Sequence, residues 1–139
     1  MMKAKVLPTD FRDLERFLDW ALPTETARRR KRESLGLDEI TEFYDAVLPR
    51  MLDVLDHFRS AEILAGGAEN VGAETRLLFT LMLAFSEASL SVEVHKSPIV
   101  PDGMPGDIWE PEHETVGWKN KPKVHLTPSS CVQPRKEIP

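Results

Sequence analysis

The sequence predicts an all-α fold: a three- to four-helix bundle followed by an extended, proline-rich C-terminal arm. Three observations carry that expectation. Between Asp38 and Phe58 the apolar residues Ile40, Phe43, Tyr44, Val47, Leu48, Met51, Val54, Leu55 and Phe58 recur at i, i+3, i+4 and i+7, the spacing that puts one face of a helix in a core. Between Ala73 and His95 the chain is apolar over most of a helical circumference, the mark of a central helix. From Ser97 onward it holds eight of its eleven prolines, a spacing that forbids a helix of useful length. The expected organisation is a helical domain over 1–96 and an arm over 97–139.

Size and charge narrow the classes. A chain of 139 residues with 41% apolar and 29% charged residues suits one soluble globular domain. A formal net charge of −5 does not favour nucleic-acid binding through overall charge. The longest apolar run, Leu77 to Phe85 broken by Thr80, is about half of what a membrane span needs, so no membrane association is expected. The first ten residues lack an apolar core, so no secretory signal is expected. The single cysteine, Cys131, excludes an intrachain disulfide and a cysteine-based zinc site. A cytoplasmic location is the expectation.

In chain order, Thr9 or Asp10 is placed to cap a first helix whose stripe is Phe11, Leu14, Phe17, Leu18 and Ala21, with Pro23 ending it. Thr24 is placed to cap a second helix and Gly36 to end it. That helix reads ETARRRKRES and is polar on every side, so it is not expected to lie flat on a core. Its run Arg28, Arg29, Arg30, Lys31 and Arg32 reads as a partner, anion or nucleic-acid patch, as a nuclear import signal, or as a solvated face paired with acids. The acidic stripe of the third helix, Glu42, Asp45, Asp53 and Asp56, is the expected source of those acids. No aromatics interleave with the bases, as base stacking requires. Pro49, inside the third helix, removes the N–H owed to Asp45 and predicts a kink near Ala46–Pro49. Gly66-Gly67 ends that helix.

On the fourth helix Arg76, Thr80, Glu87 and Ser91 form a narrow polar stripe. A carboxylate such as Glu87 on a largely buried helix is a weak candidate for a catalytic base or ligand group, and the stripe is a candidate small-molecule pocket. Solvent exposure of the stripe is the plainer alternative. A second apolar set, Phe79, Leu83, Leu90 and Val94, leaves room for dimerisation or for cover by the arm. The arm carries Trp109 and Trp118 among Ile99, Val100, Met104, Ile108, Val116, Val124 and Leu126, richer in apolar side chains than a disordered linker. These two tryptophans are the expected anchors on the chain's own helices or a partner's.

No glycine-rich phosphate loop or serine elbow is present. Glu110–His113 spells ExxH, but a di-iron bundle needs that motif twice on helices, so no metal and no cofactor is expected. The sequence therefore points to a small non-catalytic interaction or accessory protein, a homodimer or subunit of a larger assembly. Self-association through the Ala73–His95 helix and the arm is the expected contact. A ligand-binding protein or enzyme with a pocket at Glu87 is the second reading, and anion or nucleic-acid binding through Arg28–Arg32 the third.

Overall fold

The computed structural model describes residues 5–103. Trp109, Trp118, Cys131 and the rest of the arm beyond Gly103 lie outside the described residues. Within them the protein is mostly helical and contains no strand. A 3₁₀ helix, Thr9–Trp20, is followed by α1 (Glu25–Glu33), α2 (Leu37–Val47), α3 (Met51–Ala65) and α4 (Ala73–Ser89), which continues as a π-helical stretch, Leu90–His95.

The first element departs from the expected α-helix. It is 3₁₀ throughout, with a kink at Phe11 (φ −122°, ψ 19°), and Pro8 rather than Thr9 or Asp10 precedes it without a side-chain cap. Its buried residues are Phe11, Leu14, Phe17 and Trp20. A 3₁₀ helix has three residues per turn, so positions three apart eclipse one another. The four large side chains thus form one straight ridge, and Trp20, outside the 3.6-residue stripe, joins the core beside the buried Ala21 and the partly buried Leu18.

Thr24 does cap α1, its Oγ1 accepting from the Ala27 N–H at 3.1 Å. Gly36 stands before α2 rather than closing α1, whose C-terminal flanking residue is Ser34. Pro49 acts as expected: α2 stops at Val47, Leu48–Arg50 winds as a 3₁₀ turn, and α3 restarts at Met51. The turn shifts the phase of the apolar stripe. Ile40, Phe43, Val47 and Val54 are fully buried, but Met51 is half-buried and Leu48 and Leu55 are about half exposed. The expectation of one continuous buried arc from Ile40 to Phe58 is corrected accordingly. Gly66 ends α3 in the left-handed conformation (φ 76°), and the Gly67 N–H donates to the Glu62 carbonyl at 3.1 Å, a glycine-terminated helix end.

The core is centred on Phe43. Its ring stacks on Trp20 at 4.4 Å, tilts against Phe17 at 5.3 Å and meets Phe85 edge-on at 6.5 Å, while Tyr44 stacks on Phe85 at 5.5 Å. Leu78, Leu81, Met82, Ala84, Phe85 and Ala88 present one face of α4 to this cluster. Arg50 ties the ends of the bundle: it donates to the Asp10 carbonyl at 2.7 Å, pairs with Asp13 and lies 5.0 Å from the centre of the Phe11 ring.

Candidate interaction surface

The polar stripe of α4 is taken up internally. Glu87 receives Arg28 of α1 bidentately, from Nη2 at 2.9 Å and Nε at 3.1 Å, and Arg32 stands 3.9 Å away. Arg28 also donates to the Leu22 carbonyl at 2.9 Å. The Thr80 hydroxyl bonds back to the Arg76 carbonyl at 3.1 Å, and Arg76 reaches the Glu69 carbonyl. Ser91 is buried, its carbonyl accepting from the Ser97 N–H at 3.2 Å. The four residues are each engaged at a different point along the helix. Their periodicity places them along one side of the helix, but it could not show that α1 lies across it.

The basic run is likewise built into the fold. Arg28 and Arg29 are buried, Lys31 pairs with Asp19 at 2.8 Å beside the Trp20 ring, and Arg29 approaches Glu33 at 4.0 Å. Arg30 is exposed. Two expectations are corrected here. The run does lie against the core, because a guanidinium can be buried when a carboxylate and a carbonyl satisfy it. Its acids come from α4, α1 and the 3₁₀ helix; of the acids expected from the third helix, Glu42 faces Arg16 and Asp53 faces Arg50.

The side of α4 opposite its buried face, next to the polar stripe, is open. Phe79, Leu90 and Val94 are 53%, 53% and 62% exposed, and Leu83 between them is half-buried. At ~100° per residue these four side chains fall within an arc of about 60°. On α3 and the preceding turn, Leu48, Leu52, Leu55 and Ile63 form a second exposed row, Leu52 reaching 77%. Each row groups apolar side chains on one face instead of scattering them singly. Leu52 and Ile63 lie off the arc that buries Val54 yet remain apolar, so this second apolar row was present in the sequence.

Where α3 and α4 meet, Phe58 and Phe79 pack edge-on at 5.8 Å and His57 Nε2 is hydrogen-bonded to Thr75 Oγ1 at 3.1 Å. Above this contact the helices frame a cleft of about 270 Å³ lined by Phe58, Glu62, Ala68, Val71, Thr75, Arg76 and Phe79. It is apolar in its depth, with Glu62 and Arg76 as its charged members. A second cleft, about 480 Å³, lies on the other side of α3 between Asp10, Arg50, Asp53, Asp56 and His57. There Arg50 pairs with Asp53, and it also reaches Asp13 beside the cleft. No group of side chains among the described residues is arranged to hold a metal ion.

Ala73–His95 is, by length and composition, long and apolar enough to cross a membrane, longer than its interrupted apolar run implied. Six of its side chains nevertheless build the core of the helical domain, as a central helix does. Comparison with known protein families, curated proteins and solved structures finds no match.

Proposed function

We propose that the protein is a small non-catalytic interaction or accessory protein, working as a homodimer or as a subunit of a larger assembly. Its contact surface is the open face of α4, with the outer row of α3 beside it. The observation that carries this reading is the row Phe79, Leu83, Leu90 and Val94, exposed but for the half-buried Leu83, on a helix whose face from Leu78 to Ala88 is buried in the core. Desolvating such a row contributes about 25 cal/mol per Å² of apolar area. Burial of Arg28 and Arg29 withdraws two of the five bases from any phosphate contact, which supports protein contact over nucleic acid.

Light scattering and native mass spectrometry of the full-length chain test the reading. Leu90→Arg with Val94→Glu alters exposed positions, so the fold should persist while the dimer or co-purifying partner is lost. A wild-type chain that is monomeric at high concentration and carries no partner overturns it. Binding of the wild type to lipid vesicles, abolished by the same substitutions, overturns it in favour of a membrane surface.

A further inference from the structure

Of the fifteen residues of α3 only Val54 is buried, while Leu52, Leu55 and Ile63 stand exposed. We propose that this outer row is where two copies of the chain pair, α3 against α3, antiparallel about a two-fold axis. The inference rests on the assembly reading above and names the partner as a second copy.

The row has the layout of a helix–helix seam. At ~100° per residue, Leu52, Leu55, Arg59 and Ile63 fall within an arc of about 80°, and Leu52 lies about 160° from the buried Val54. Asp56 borders the arc beside Ile63. Asp56 and Arg59 are exposed, and neither enters an ion pair among the described residues. The contacts of α3 with the rest of the bundle come from the side away from this row: Val54, His57 against Phe11 and Thr75, and Phe58 against Phe79. A helix of this length is marginal by itself in water, so a second neighbour on the outer row adds support where the bundle gives little.

Charge selects the partner and the direction. A two-fold axis makes every contact twice, residue i on j and j on i. With the axis crossing α3 between His57 and Phe58, Leu52 comes level with Ile63 of the partner subunit and Asp56 with Arg59 of the partner subunit. The two helices then overlap over nearly their whole length, about 22 Å. Parallel pairing would instead set Arg59 on Arg59 and Asp56 on Asp56, like charges whose juxtaposition is costly. The row is complementary to itself in the antiparallel direction, a property that contact with an unlike protein does not require. Area decides what else takes part. A standard interface buries about 800 Å² per partner, more than a strip about 22 Å long and 10 Å wide offers. The open row of α4 adjoins α3 at the Phe58–Phe79 contact and supplies the rest.

Charge exchange in the full-length chain, read by analytical ultracentrifugation, tests this. Asp56→Arg leaves two cations at the seam and Arg59→Asp two anions, and each is expected to weaken the wild-type dimer about tenfold or more. An equimolar mixture of the two variants restores both pairs in a heterodimer and should associate about as tightly as the wild type, as should the double variant. Both positions are exposed, and circular dichroism should show unchanged helix content in each variant. In a Cys131→Ser background, Leu52→Cys with Ile63→Cys should link two copies under mild oxidation severalfold faster than either substitution alone. Self-linking of Leu52→Cys alone at the same rate overturns the proposal in favour of parallel pairing. A dimer indifferent to both charge changes, or a mixture that stays monomeric, overturns the pairing through α3; if Leu90→Arg with Val94→Glu dissociates that same wild-type dimer, the assembly reading survives. A monomeric wild type bound to an unlike protein also keeps the assembly reading and loses this inference, and a monomer without a partner loses both.

Discussion

Arg28 and Glu87, 59 residues apart in the chain, hold each other through a bidentate contact that fastens α1 across α4. The Arg28 side chain is 7% exposed and that of Glu87 24%. Burying a guanidinium is expensive unless every donor is used. Here the carboxylate and the Leu22 carbonyl use them. The pair fixes the angle of a helix that has few apolar side chains with which to fix itself.

Removing one partner leaves the other charge stranded. Arg28→Ala is expected to cost about 2–4 kcal/mol, below the full range for a buried pair because Glu87 retains some contact with water. Replacing both, as Arg28→Met with Glu87→Leu, should recover most of the loss, since well-packed apolar pairs often match buried ion pairs. Arg30→Ala, at an exposed position, should change stability by less than about 0.5 kcal/mol. Urea denaturation of the set, read as a double-mutant cycle, measures the coupling; additive losses at Arg28 and Glu87 would mean that the contact does not hold α1 in place.

Val47 marks the least forgiving point of the third helical segment. It is fully buried where α2 meets the 3₁₀ turn, while Met51 one turn later is half-buried. Val47→Asp should cost several kcal/mol, because an unpaired carboxylate has no acceptable place there. Met51→Ala should cost less than the ~2–5 kcal/mol typical of a buried methionine. A cooperatively melting Val47→Asp protein with an unchanged midpoint would require that helix to be rotated from its position here.

Much of this fold was readable from period and punctuation. The stripe from Ile40 to Val47, the break at Pro49, the cap at Thr24 and the stop at Gly66-Gly67 are local matters of spacing and backbone chemistry. What escaped depends on geometry that neighbours impose. Phe11, Leu14, Phe17 and Trp20 repeat every three residues, which fits the 3₁₀ winding better than the 3.6-residue stripe first assigned. The polarity of α1 suggested a solvated helix, since nothing local indicates that Glu87 lies above Arg28. The second apolar row of α4 was legible, but its exposure depends on how the other helices pack, which periodicity does not encode.

Gly67 tests the hairpin that frames the apolar cleft. Its φ is +150°, and a Cβ there would stand 2.6–2.8 Å from the Glu69 carboxylate. Gly67→Ala therefore combines strained backbone with a clash that only a shift of the Glu69 side chain relieves, and should cost about 1–3 kcal/mol. Gly66→Ala meets nothing within 4 Å and should cost about 1 kcal/mol, from its left-handed conformation alone. Thermal melts of the two variants should rank in that order, and equal losses would mean that the Glu69 side chain moves aside without penalty.

Tyr44 links the core to the π-helical end of α4, and that link should be visible as pH dependence. Its ring stacks on Phe85, and its hydroxyl donates to Glu93 Oε1 within the stretch Leu90–His95. Ionising the phenol would lose that donated bond and set a negative charge beside Glu93. The Tyr44 pKa is accordingly raised above 10.0, chiefly by the bond to Glu93, then by burial, then by the charges of Glu93 and Asp45. The sign follows from linkage: the folded state keeps the proton longer than the unfolded chain does. The associated stability is therefore fully present below pH 10.0 and is lost as pH rises through the folded value. Glu93→Ala removes the largest cause and should flatten this dependence. Because the chain has one tyrosine, a near-ultraviolet absorbance titration reports Tyr44 alone. Its phenolate signal should emerge at higher pH in the wild type than in Glu93→Ala, and coincident titration curves would mean that the hydroxyl does not donate to Glu93 in solution.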